Sequence, residues 1–80
     1  MDRIAKFMLR LTEKQRQKVR AAYDAIMENQ LKGLDIKSLQ GKQHWFRCRV
    51  GNVRIIFVRT APGTHVITEV EFRGKVYKRV

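Results

Sequence analysis

Eighty residues with a formal charge of +11 at pH 7, one cysteine and two histidines leave room for one domain, spanning 1–80, with one modest core. That length excludes a large internal substrate cavity, and the lone cysteine excludes an internal disulfide framework and a clustered thiolate metal site. The charge points to nucleic acid, an anionic surface or an acidic protein, and it is uneven: residues 41–80 carry nine Lys or Arg against Glu69 and Glu71 alone.

Ile4, Phe7, Met8 and Leu11 recur at helical spacing behind Asp2, a capping residue, and predict a first helix over about 2–11. Its start, MDRIAKFMLR, has neither the apolar length nor the cleavage pattern of a signal peptide. No later run is long enough to cross a bilayer, so a cytoplasmic protein without a membrane partner is expected. Thr12 followed by Gln15 at the third helical position reads as a capping box opening a second helix over about 13–31. The stripe Val19, Ala22, Tyr23, Ile26, Met27 faces the core, and Lys32-Gly33 supplies the stop. Leu34, Ile36 and Leu39 then pin a connector to the core, with Lys37 and Lys42 flanking the entrance to a sheet.

Two β-type runs, about 44–50 and 53–60, meet at Gly51-Asn52 and form a hairpin. Phe46, Cys48 and Val50 alternate with Arg47 and Arg49, while Val53, Ile55 and Phe57 alternate with Arg54, Ile56 and Val58. One hairpin face is therefore apolar and takes Cys48 as a core residue, and the other carries Arg47, Arg49 and Arg54. A turn at Ala61-Pro62-Gly63-Thr64 leads to a third strand, about 65–72, in which Val66, Val70 and Phe72 oppose Ile67, Glu69 and Glu71. Gly74 permits a bend into a short edge strand over about 75–79. The expected fold is α+β: an N-terminal helical hairpin packed on a small antiparallel sheet of 3–4 strands.

The chain has no HExxH, phosphate-cradling Gly-rich loop, paired Cys or nucleophile elbow. Neither His44 nor His65 belongs to a metal-ligand cluster, so neither a metal nor another cofactor is expected. What remains is an arginine surface, Arg47, Arg49, Arg54 and Arg73, with Tyr77 as its phenol. Guanidinium forks hold phosphate oxygens, Trp45 or Tyr77 can stack on a base, and fixed cations stabilise charge on a scissile phosphate. RNA brings its own nucleophile in the 2′-hydroxyl, so its cleavage requires a proton acceptor. Arginine is a poor one, which leaves Tyr77, Glu69 or Glu71. Glu69 and Glu71 equally suit ion pairs that position the guanidinium groups.

Leu11-Thr12-Glu13-Lys14, Leu34 through Leu39-Gln40-Gly41, Phe46 to Val50, Gly51 to Phe57, and Glu69 to Arg73 followed by Val76-Tyr77 together resemble the RelE/ParE superfamily of type II toxins. The resemblance implies a RelE-like fold and a ribosome-dependent mRNA endoribonuclease (mRNA interferase). Arg47, Arg49, Arg54, Arg73 and Tyr77 stand at its catalytic positions; apart from the resemblance, Lys37, Lys42, Trp45 and Lys75 are expected to join Arg47 and Arg49 in binding RNA. The implied partners are a cognate acidic antitoxin, the ribosome with its mRNA, and operator DNA indirectly through the antitoxin complex. Phe72 stands where many members have histidine, and the chain begins in helix where members begin with a strand, so the sheet is expected to lack a strand or to leave an edge exposed. The alternatives are a ParE-like gyrase inhibitor acting by protein contact and a non-catalytic basic RNA-binding module.

Overall fold

The computed structural model describes residues 2–73, so the expected edge strand over 75–79, with Lys75 and Tyr77, lies outside the described residues. Helix α1 spans Arg3–Met8, and Asp2 caps it by accepting the Ala5 N–H at 2.7 Å. It is shorter than its apolar spacing predicts. After Leu9 the chain tightens, with the Arg10 and Leu11 N–H groups donating to the Phe7 and Met8 carbonyls, and Leu11 turns into the core.

Helix α2, Glu13–Met27, opens on the capping box read from the sequence: Thr12 Oγ1 accepts the Gln15 N–H, and Gln15 Oε1 accepts the Thr12 N–H. Arg16 adds a clamp across the corner, donating from Nε to the Met8 carbonyl at 3.0 Å and from Nη2 to the Leu11 carbonyl at 2.8 Å. These bonds satisfy donors and acceptors that two abutting helix ends leave open. Thr12→Ala is expected to lower stability by about 1 kcal/mol, read as a shift of the urea midpoint.

The second helix stops four residues before the predicted 31. Asn29 adopts φ 57°, its N–H donates to the Ile26 carbonyl, and the Gln30 N–H reaches back to the Ala25 carbonyl at 2.7 Å. This is a Schellman closure with asparagine in the left-handed position, so Asn29 rather than Gly33 ends the helix.

The segment read as a connector is strand β1, Asp35–Ser38. It pairs antiparallel with β2, Trp45–Val50, setting Asp35 opposite Arg49, Ile36 opposite Cys48 and Lys37 opposite Arg47. Strands β3, Val53–Ala61, and β4, Thr64–Phe72, complete an antiparallel meander in the order β1-β2-β3-β4. Gly51, at φ 58°, makes the two-residue β2–β3 loop possible.

Phe7, Leu11, Val19, Ala22 and Ile26 from the helices meet Cys48, Val53, Ile55, Phe57 and Val70 from the sheet in one core. Because side chains alternate along a strand, Arg47, Arg49, Arg54 and Ile56 project from the face turned away from the helices. One irregularity matters for that face. Ile56 pairs with Glu69 but Phe57 pairs with Ile67, so Thr68 is an extra residue in β4, and its Oγ1 donates to the Ile56 carbonyl. The bulge breaks the uniform parity read from the sequence. Ile67 packs on the core while Glu69, two residues on, sits with the arginines, and Val66 is left exposed.

Candidate functional site

The register assembles two rows across the open face of the sheet. One runs Lys37, Arg47, Ile56, Glu69 and the other Asp35, Arg49, Arg54, Glu71. Arg49 and Arg54 stand directly opposite each other, a like-charge pair that the sheet tolerates at a cost. Arg47 and Arg54 lie on the two inner strands and are only 8% and 4% exposed, so their guanidinium groups are held rather than splayed into solvent.

The acid partner of Arg47 is Asp35, with Nη1 and Oδ1 3.7 Å apart. At that distance the contact is Coulombic and too long for a hydrogen bond. Buried Arg47 Nη1 and Arg49 Nε accordingly have no hydrogen-bond acceptor among the described residues. Donors of this kind are costly to bury unsatisfied, and an anion laid on the sheet would satisfy them.

Beside these rows the face opens into a groove of about 330 Å³, lined by Leu39, Lys42, Trp45, Arg54, Ile56, Thr68 and Glu69. The Lys42 ammonium lies 5.2 Å from the Trp45 ring centroid, so the two sequence candidates are already in contact. Lys37 is placed in the Arg47 row, outside the groove.

Arg73 is held at the far end of the hairpin. Its N–H donates to the Asn52 carbonyl at 2.9 Å, and Nη1 lies 3.4 Å from the Gly51 carbonyl oxygen. Three of the five predicted catalytic residues, Arg47, Arg49 and Arg54, thus share one face, Arg73 is anchored to the β2–β3 turn, and Tyr77 lies outside the described residues. Phe72 belongs to the other side of the sheet. Its ring meets Phe7 edge-on at 4.9 Å, and Arg10 lies over both rings.

The carboxylates divide the work differently from the sequence reading. Asp35 pairs with Arg47, Glu71 Oε1 accepts the Phe72 N–H at 3.1 Å, and Glu69 lines the groove. Sequence reasoning missed Asp35, Leu39 and Thr68 as parts of this surface, whereas Ile56 was already in step with Arg54. Asp35 joins the surface through the pairing of β1 with β2, which sets it opposite Arg49. His65 is buried on the core side, with Nδ1 3.1 Å from the Ile26 carbonyl and its ring edge-on to Phe57, which makes it a structural residue. No group of three or more His, Cys, Asp or Glu that could hold a metal occurs among the described residues, and no helix among them is long and apolar enough to cross a membrane.

Cys48 lies fully buried between the strands, and burial pushes its thiol up from 9.0 to about 11, with Asp35 raising it further and Arg47 opposing. The thiolate is the nucleophile, so Cys48 is held as an inert thiol. Because the folded pKa is the raised one, its contribution to stability is complete below pH 9 and is lost as pH climbs toward 11. Iodoacetamide at pH 8 should leave the native protein unlabelled and label it fully in denaturant; equal rates in both states would contradict that burial.

No family model and no curated protein sequence matches the chain. Among solved structures, it is similar to a chain of the RelB-RelE antitoxin-toxin complex from Methanococcus jannaschii. The TM-score is 0.68 at 23% identity, over 94% of this chain and 89% of that chain. The expected α+β class holds: among the described residues two helices lie on one side of a four-stranded antiparallel sheet, with β1 as a strand the sequence reading did not supply, and the fold is similar to that of a chain from a toxin–antitoxin complex.

Proposed function

We propose that the protein is the toxin of a type II toxin–antitoxin pair and cleaves ribosome-bound mRNA without a metal. The observation that carries this reading is the set of arginines on the open sheet face, with buried guanidinium N–H groups on Arg47 and Arg49 that have no hydrogen-bond acceptor among the described residues. Phosphate oxygens supply such acceptors, and a guanidinium fork matches them two at a time.

In the reaction, the 2′-hydroxyl loses its proton and its oxygen bonds to the adjacent phosphorus. The bond from phosphorus to the 5′-oxygen then breaks, and that oxygen takes up a proton, leaving a cyclic phosphate and a free 5′-hydroxyl. Arg54, Arg47 and Arg49 stabilise the charge that builds on the phosphoryl oxygens, and Arg73 does so from the hairpin end. Tyr77, which stands at a catalytic position by the sequence resemblance, shares with Glu69 and Glu71 the candidacy for carrying the proton. An acidic antitoxin would neutralise the same basic surface, consistent with the +11 charge.

The test is to map mRNA 5′ ends in a translation reaction with purified protein. New ends at ribosome-occupied codons, absent without ribosomes, are the expected result; intact message at every protein concentration would refute the nuclease. Phe72 favours a second reading, because the position that could hold a proton acceptor is an apolar residue seated on Phe7. Under that reading the protein acts by contact alone, and inhibited gyrase supercoiling with intact mRNA would identify it.

A further inference from the structure

We infer that the groove beside the arginines is a guanine-reading pocket, with Glu69 as the residue that sets base specificity. The inference rests on the proposed RNA-cleaving function and adds a sequence preference to it. At about 330 Å³ the groove falls within the range of small-ligand sites, roughly 300–1,000 Å³, and it adjoins the phosphate-holding face through Arg54, which lines both. Leu39 and Ile56 give it apolar surface, Trp45 gives an aromatic one, and Lys42 adds a cation over that ring. These are the materials that hold an unstacked base.

The remaining charged group in the lining is Glu69, and its position is built rather than incidental. A regular β4 would send Ile67 and Glu69 to the same face; the Thr68 bulge sends Ile67 to the core and Glu69 into the groove. An ionised carboxylate only accepts hydrogen bonds, and it accepts two side by side. Guanine is the base whose Watson–Crick edge offers two adjacent donors, N1–H and the N2 amino group. Adenine and cytosine set a ring-nitrogen lone pair next to their amino group, and uracil flanks its N3–H with two carbonyl oxygens. Each of these three presents at least one lone pair to the carboxylate and is repelled.

Trp45 is the chain's single tryptophan, so its fluorescence reports occupancy of the groove directly. The probes are 2′-O-methyl tetranucleotides, which cannot be cleaved, with G, A, C or U at one central position among uridines, and GMP alone. The G tetranucleotide is expected to bind about tenfold more tightly than the other three, the discrimination a bidentate contact supplies. Glu69→Gln should abolish that ratio. The ratio is the readout because losing a negative charge raises affinity for every RNA. Thermal unfolding of E69Q at the wild-type temperature ensures that a folded variant is compared, and Glu69→Asp provides a second variant, expected to narrow the ratio without abolishing it.

Equal affinities for all four tetranucleotides, or a guanine preference that survives in E69Q, overturn the assignment. GMP binding more tightly than the G tetranucleotide overturns RNA as the source of the base. A guanine preference with intact mRNA in translation refutes the nuclease and upholds the pocket, whereas cleavage indifferent to guanine upholds the nuclease and refutes the pocket.

Discussion

Arg54→Ala is expected to reduce ribosome-dependent mRNA cleavage by about 100-fold or more at unchanged ribosome binding. Removing one preorganised donor from a site of developing negative charge typically costs a factor of about 10² to 10³. Arg54 is the residue for which the full factor is expected. It is on an inner strand, 4% exposed, opposite both Arg49 and Glu71, and it lines the groove as well as the basic face. Arg54→Lys keeps the charge but loses the planar fork, so it should recover only part of the rate. Circular dichroism and a thermal melt on both variants separate a chemical effect from a folding one. A folded R54A that cleaves at the wild-type rate would remove Arg54 from the mechanism.

The face on which that prediction rests was legible in the sequence because it is a period-two pattern. Phe46, Cys48 and Val50 against Arg47 and Arg49 can be satisfied only by a strand with one dry side, and the hairpin at Gly51-Asn52 fixes the partner strand in register. The capping signals at Asp2 and Thr12 were equally local, a side chain and a backbone N–H three residues apart, and both formed as read. Where the determinant was not local, the reading stopped short. Strand β1 is only four residues long, and little in Asp35-Ile36-Lys37-Ser38 announces a strand; it is one because β2 offers it an edge.

Two further differences share a cause. Asparagine at 29 adopts a left-handed conformation that glycine adopts more readily, so the stop at Gly33 was the stronger sequence signal although the chain had already turned. The bulge at Thr68 is invisible in composition, because inserting one residue into a strand shows only when its neighbour's register is known. Its effect is to exchange the faces of Ile67 and Glu69. The part of the site that sequence reasoning left vague, which carboxylate belongs with the arginines, was therefore the part decided by pairing across β3 and β4.

The same pairing makes Phe57 the residue on which both faces depend, and Phe57→Ala is expected to destabilise the fold by about 3–5 kcal/mol. Phe57 is fully buried, stacks on Phe46 at 5.5 Å, meets His65 edge-on at 5.3 Å and pairs with Ile67 directly after the register shift. For a domain whose whole stability is of order 5–15 kcal/mol, that loss leaves a marginal protein, and the melting temperature should fall by about 15–30 °C. Phe57→Leu refills part of the cavity and should lose distinctly less. The consequence for function follows from the strand geometry: Phe57 pairs with Ile67 on the core side, Ile56 pairs with Glu69 at the groove, and Thr68 is the extra residue between them, so loosening Phe57 is expected to loosen the bulge. Hydrogen exchange in Phe57→Leu should therefore quicken first at the amides around Thr68, ahead of those in α2. Uniform acceleration across the chain would mean that the bulge is maintained by Thr68 and Ile56 alone, independently of the aromatic core beneath it.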